Sequence, residues 1–138
     1  MIPTDADVEK LTEKIIGCAI EVHRTLGAGL LESVYKQCMG IELRNAQLRF
    51  ESERRLELMY KGALVSSDFR LDLLVEGVVV VELKAVDCIH PIYLSQVITY
   101  LKLTGCPAGL LLNFNVTSLR AGVRRLNHPN RHKRKSFS

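Results

Sequence analysis

The sequence predicts an α/β fold with a mixed sheet flanked by helices, in the order α-α-β-β-β-α-β-α. Three observations carry this. Apolar residues recur at helical spacing from Val8 to about Ala46. Three strand-like stretches follow, separated by Lys61-Gly62 and Glu76-Gly77. A helical stretch then lies between two aliphatic runs, Val78–Val81 and Ala108–Asn113, a pattern that buries a sheet between helices.

Taken in order, Thr4 followed by Asp7 forms a capping box that starts the first helix. Val8, Leu11, Ile15, Cys18 and Val22 give it one apolar stripe, and Gly27-Ala28-Gly29 ends it near Leu26, glycine tolerating the left-handed cap. The second helix spans about Leu30 to Ala46, with Leu31, Val34, Tyr35, Cys38 and Ile41 as its apolar stripe. Strands are expected over Phe50–Tyr60, Leu64–Val75 and Val78–Val86, the last opening on four valines that read as a buried strand. Pro91 opens a helix to about Thr104, with Leu94, Val97, Ile98 and Leu101 inward, and Gly105 stops it. Ala108–Asn113 is a further buried strand, and a short helix is expected around Ser118–Leu126.

With 138 residues, of which 47% are hydrophobic, the chain is the size of one domain with a real core. The reading is one domain over 1–127 and a basic tail over 128–138. The net charge of +4 comes from Arg131, Lys133, Arg134 and Lys135, since the remaining basic and acidic residues balance. Two readings of that tail stand: a grip on polyanion phosphates through counterion release, or a frayed, solvated end. Cys18, Cys38, Cys88 and Cys106 lack C-x-x-C spacing, so neither a zinc site nor a redox pair is expected. Free cysteines and an acidic N-terminus without a leader's apolar stretch point to the cytoplasm, and no apolar run approaches a membrane span.

The chemistry lies where charge interrupts the most apolar strands. Asp72 sits in Phe69-Arg70-Leu71-Asp72-Leu73-Leu74-Val75, and Glu82 and Lys84 sit in Val81-Glu82-Leu83-Lys84-Ala85. A charge buried in a strand is costly unless it is paired or binds a metal. Strict alternation puts Glu82 and Lys84 on one face of their strand. In the preceding strand it puts Phe69, Leu71, Leu73 and Val75 on one face and Asp72 on the other. A two-residue turn at Glu76-Gly77 would pair Val75 with Val78 and set Asp72 opposite Val81. A three-residue loop or a bulge at Gly77 brings Asp72 and Glu82 to one face instead, because a one-residue slip reverses every side chain. The sequence predicts the second arrangement if the two carboxylates form a site. Converging carboxylates suit Mg²⁺ or Mn²⁺, and a nearby lysine could orient water or offset charge on a phosphorus. A plain Asp–Lys or Glu–Lys pair across two strands is the other reading of the same residues.

An Asp followed about ten residues on by Glu-x-Lys resembles the PD-(D/E)XK nuclease superfamily. Gly29-Leu-Leu-Glu32-Ser-Val-Tyr35, after Ile20-Glu21-Val22-His23-Arg24, resembles the signature of the bacterial GxxExxY family within it. Gln96-Val-Ile-Thr-Tyr100 resembles the Q-x-x-x-Y of RecB-like nucleases, and Leu111–Asn115 resembles the family's closing strand. The similarity spans residues 8 to 126. It implies a restriction-endonuclease-like fold and a divalent-metal-dependent nuclease acting on DNA in preference to RNA. Asp72 and Glu82 would be metal ligands, with the Leu83 carbonyl and Glu32 as further ones, and Lys84 the catalytic lysine. Gln96 and Tyr100 would order Lys84 or contact the scissile strand, and Tyr35 would position Glu32, although Tyr35 and Tyr100 also suit core packing. His23 has two readings, an extra ligand as in RecB-like nucleases or a helix-end residue meeting the C-terminal dipole.

A catalytically silent nucleic-acid-binding or adaptor module on the same fold is the competing function. Retention of Asp72, Glu82 and Lys84 together speaks against it. So short a chain has little beyond its core fold to grip a duplex, so a homodimer or a partner protein would supply the missing surface.

Overall fold

The computed structural model describes residues 2–131. α1 (Asp5–Leu26) opens on the expected capping box: the Thr4 side chain accepts from the Asp7 N–H, and the Asp7 carboxylate accepts from the Thr4 N–H. After the Gly27–Leu31 connection comes α2 (Glu32–Asn45), then β1 (Phe50–Tyr60), β2 (Ala63–Val75) and β3 (Val79–Lys84). α3 (Pro91–Thr104) crosses over to β4 (Ala108–Asn113), and β5 (Val123–Asn127) closes the described chain. The five strands form one sheet in the order β1-β2-β3-β4-β5, antiparallel except for the parallel pair β3–β4 that α3 connects.

The sheet lies between two helical layers. On one face Leu73, Val75, Val79, Val81, Leu83, Leu110 and Leu112 pack against α1 and α2. On the other, Leu56, Leu71, Leu74, Val80 and Leu111 pack under Val97 and Leu101 of α3. α3 lies close to β4 because Gly109 carries no side chain; a Cβ there would stand 2.7 Å from a Val97 methyl.

Two local expectations change. Residues 118–126 are not one helix: Leu119–Gly122 form a 3-10 turn and Val123–Asn127 an edge strand on β4. Leu119, Val123 and Leu126 fall at helical spacing, which is the source of the misreading. Val123 joins the α1/α2 side of the core and Leu126 the α3 side, opposite faces that only a strand provides at that spacing. The inward stripe of α2 is also rotated. Tyr35, Met39 and Leu43 are fully buried, while Leu31 and Ile41 are 73% and 53% exposed.

The Glu76-Gly77 connection has three residues before the ladder resumes: Val75 pairs with Val79, not Val78. Glu76 and Gly77 both adopt left-handed φ, +53° and +65°. The Val78 N–H donates to the Val75 carbonyl at 2.9 Å, so Val78 is the additional residue that sets the register.

Candidate active site

The β2–β3 ladder runs inward from the turn as Val75↔Val79, Leu74↔Val80 and Leu73↔Val81, and then stops. Beyond it the strands separate, and carboxylates replace the missing rungs. The Asp72 N–H donates to Glu82 Oε1 at 2.9 Å, and the Leu83 N–H donates to Asp72 Oδ2 at 2.9 Å. Each carboxylate thus satisfies a backbone donor of the opposing strand, which fixes both side chains at the fork. Of the other two oxygens, Asp72 Oδ1 faces the Lys36 ammonium, and Glu82 Oε2 takes no N–H of the opposing strand.

Strict alternation fails at this point. Leu73 and Val75 pack with α1 and α2, whereas Leu71 and Phe69 belong to the α3 side. The expectation of a single apolar face through Phe69, Leu71, Leu73 and Val75 is therefore corrected. β1 switches at the same level, Phe50 facing α1/α2 and Leu56 facing α3. The switch occurs at Glu53, a strand residue with φ of +53°. Neighbouring pairs Ser52↔Leu73 and Arg54↔Leu71 set Glu53 opposite Asp72, so Glu53, Asp72 and Glu82 form one row across three strands. Irregular strand positions of this kind re-aim side chains beside functional sites.

Glu82 is buried, and burial pushes its carboxyl up to about 8, with the negative charge of Asp72 raising it further against the opposing Asp72 N–H bond. A buried acid beside a second acid lacks compensating positive charge. Lys36 of α2 supplies part of it: its ammonium is ion-paired with Glu53 and lies 3.6 Å from Asp72 Oδ1.

Lys84, the last residue of β3, holds its ammonium 4.7 Å from the centroid of the Tyr93 ring of α3, a cation–π contact. Among the described residues no carboxylate lies within ion-pair distance of it. The strand end is anchored from β4: the Phe114 N–H donates to the Lys84 carbonyl at 2.9 Å, and the buried Asn113 amide both donates to the Val86 carbonyl and accepts from its N–H.

Glu32 is the first residue of α2, where the helix N-terminus favours an anion. Partial burial raises its carboxyl and Asp72 adds to that, while Lys84 and Lys36 oppose it; it therefore shares the electrostatic neighbourhood of the fork. Tyr35 sets this helix end. Its hydroxyl donates to the Gly27 carbonyl at 2.7 Å and accepts from the Leu30 N–H at 3.2 Å, and its ring stacks on Phe114 at 4.5 Å. Gly29 takes a φ of +95° inside that loop. Within Gly29–Tyr35 the glycine turns the chain and the tyrosine ties the turn that leads into Glu32.

On α3, burial raises the Tyr100 phenol and the charges of Glu82 and Asp72 raise it further, so it shares their electrostatic neighbourhood. Gln96 is exposed one helical turn earlier, between Tyr93 and Tyr100 on the same stripe.

His23 lies elsewhere in the hydrogen-bond network: Nε2 lies 2.8 Å from the Val116 carbonyl, to which it donates, and the ring lies beside Phe114. That nitrogen is engaged by backbone. Arg131 is held against the body: it bonds Asp5 through Nε and a terminal nitrogen and Asn127 through the other, with its side chain 10% exposed. Lys133, Arg134 and Lys135 lie outside the described residues.

Sequence reasoning missed Lys36, Glu53, Tyr93 and Asn113. Lys36 had a signal, one helical turn after Glu32. Asn113 had another, a polar residue closing an apolar strand. Glu53 had none, because its role depends on a backbone switch within a strand of alternating charges.

The donor set suits a hard divalent cation. Two carboxylates meet at one fork, each with only one oxygen taken by a backbone N–H, and Glu82 is raised by burial and by the Asp72 charge. Among the described residues no three His, Cys, Asp or Glu side chains are grouped to hold a metal by themselves, so backbone carbonyl and water would complete the coordination. All four cysteines are free, and no helix among the described residues is long and apolar enough to cross a membrane.

A family model described as the PD-(D/E)XK nuclease superfamily matches residues 9–126. No curated protein and no solved structure matches the chain.

Proposed function

Since the chain belongs to the PD-(D/E)XK nuclease superfamily, we propose that it is a Mg²⁺- or Mn²⁺-dependent nuclease that hydrolyses phosphodiester bonds, with DNA as the favoured substrate. The observation that carries this is the crossed pair at the fork: Asp72 and Glu82, each bound through one oxygen to a backbone N–H of the opposing strand.

In this reading Asp72, Glu82 and the Leu83 carbonyl hold the divalent ion, with Glu32 reaching it directly or through water. When bound, the ion supplies Lewis-acid polarisation of the phosphate and a more acidic water. The chain's own groups do the rest. Lys84 points from the end of β3 with no carboxylate of the described residues at ion-pair distance, so its ammonium orients the attacking water and offsets charge that grows on the phosphate in the transition state. Tyr93 fixes the aim of that ammonium. Gln96 and Tyr100 line the α3 side, where an amide and a phenol can donate to phosphate oxygens of the scissile strand. Tyr35 acts through Glu32 and does not touch substrate. Lys133, Arg134 and Lys135 add a sequence-independent grip on the backbone, in a domain over 1–127 with a basic tail. A homodimer or a partner protein supplies further surface for a duplex. Free cysteines support a reducing compartment such as the cytoplasm.

Incubation of plasmid and linear single-stranded DNA and RNA with the protein, in Mg²⁺, Mn²⁺ or EDTA, tests the reading. Cleavage that EDTA and Glu82→Gln both abolish is expected. Metal-independent binding without cleavage would replace the nuclease with a silent binding module.

A further inference from the structure

Asp72 keeps one oxygen for a cation, and that oxygen already faces one. Oδ2 accepts from the Leu83 N–H, and Oδ1 is the atom that Lys36 approaches at 3.6 Å. The same ammonium is ion-paired with Glu53. Among the described residues it is the only cation within ion-pair distance of Asp72. Lys36 is a quarter exposed at its side chain, so the ammonium has room to move between its two anions.

Glu53 is not an incidental neighbour. It lies in the same row as Asp72 and Glu82, at the position where β1 switches faces, and it holds a φ of +53° in mid-strand. Non-glycine residues rarely adopt that conformation, least of all inside a strand. A surface ion pair alone needs no such backbone, whereas aiming a carboxylate at Lys36 from this row does.

We propose that Lys36 is a built-in counter-cation that competes with the divalent ion for Asp72 Oδ1, and that Glu53 is the anion that draws it aside. The pair thereby sets the affinity of the site for divalent cations. Without metal, Lys36 offsets the charge of Asp72 from its Oδ1 side. On metal entry the ammonium shifts fully onto Glu53 and stays beside the site as a second positive charge. This rests on Asp72 being a metal ligand, as in the proposed function.

The test is Mn²⁺ titration of the full chain, read as loss of the free-ion electron paramagnetic resonance signal, for wild type, Lys36→Met, Glu53→Gln and the double variant. Lys36→Met should bind Mn²⁺ up to about fivefold more tightly, the effect of removing one partly exposed competing charge. Glu53→Gln should bind several-fold more weakly, because Lys36 then has only Asp72. In the Lys36→Met background Glu53→Gln should weaken binding far less than it does in wild type. Circular dichroism melts establish that each variant folds. Equal or weaker affinity in Lys36→Met overturns the proposal and leaves the metal reading intact. Glu53→Gln weakening both backgrounds equally also overturns it, because Glu53 would then be a ligand itself. If neither wild type nor Lys36→Met binds Mn²⁺, the metal reading fails and takes this proposal with it; Asp72→Asn abolishing wild-type binding upholds that reading separately.

Discussion

Asp72 and Glu82 each accept the backbone N–H that the other's strand leaves unpaired, at 2.9 Å in both directions. This crossed pair holds two acids together, Glu82 the more deeply buried of them, and Glu82 takes the cost. Its carboxyl is pushed from an ordinary 4.5 to about 8, first by burial and then by Asp72. A raised carboxyl binds its proton more tightly folded than unfolded. Its contribution to stability is therefore complete below pH 4.5 and is lost as pH rises through about 8. The metal-free protein should accordingly lose melting temperature across that window. Glu82→Gln should flatten the loss, since glutamine still accepts the Asp72 N–H without titrating. Thermal melts in EDTA at a series of pH values check this.

The same deficit of positive charge predicts the effect of metal. Mn²⁺ or Mg²⁺ bound only by the folded protein raises the melting temperature by linkage, more at pH 8 than at pH 6, because binding must displace the Glu82 proton at the lower pH. Asp72→Asn should melt above wild type in EDTA at pH 8, its repulsion relieved, and gain nothing from Mn²⁺. A Mn²⁺-dependent rise in the Asp72→Asn melt would place the ion elsewhere.

Lys84 should separate from the ligands in its behaviour. Its ammonium rests on Tyr93, not on an acid, so it is available to the transition state. Lys84→Ala should keep the Mn²⁺-induced rise in melting temperature and lose turnover by about a hundred- to a thousand-fold. Tyr93→Leu should cost less, about tenfold or under, by loosening the aim of Lys84. Single-turnover cleavage alongside melts resolves rate from metal binding.

Much of this arrangement is legible in the sequence. If Asp72 and Glu82 are to share a face, Glu76-Gly77 needs a three-residue loop or a bulge, and the ladder pairs Val75 with Val79 accordingly. Helix limits such as Pro91–Thr104 follow from a proline that presets the first turn and a glycine that takes the left-handed cap. What stayed hidden was tertiary in origin. Glu53 looks like any charged residue of an alternating strand, and only a backbone switch shared with β2 turns it toward α2. Leu31, Val34 and Ile41 fit a helical stripe as well as Tyr35, Met39 and Leu43 do. Which stripe is buried depends on where α1 and the Phe114 ring lie. Residues 119–126 carry helical and strand spacing at once, and the free edge of β4 decides between them.

Tyr35 offers a test of the positioning argument. Tyr35→Phe keeps the stack on Phe114 but leaves the Gly27 carbonyl and the Leu30 N–H without their partner. Loss of a buried hydrogen-bonding group costs about 1–3 kcal/mol, which urea denaturation should register. Because the freed loop precedes Glu32, turnover should fall as well, while Glu32→Gln should lower turnover with no comparable loss of stability. Equal effects of Tyr35→Phe and Glu32→Gln on stability would remove the tyrosine's positioning role.

The basic C-terminal segment divides at Arg131. That guanidinium is committed to Asp5 and Asn127, joining the last described turn to the start of α1. Arg131→Ala should therefore lower stability by about 1 kcal/mol and change the salt dependence of nucleic-acid binding little. Truncation after Arg131 removes Lys133, Arg134 and Lys135 and should do the reverse. If those three residues each neutralise a phosphate, the slope of log affinity against log salt on duplex DNA should flatten by up to about 3, near 0.9 per contact, with the melting temperature unchanged. Fluorescence anisotropy across a salt series, beside thermal melts, reads both. A slope that truncation leaves unchanged would assign those lysines and arginine to a solvated chain end with no part in binding.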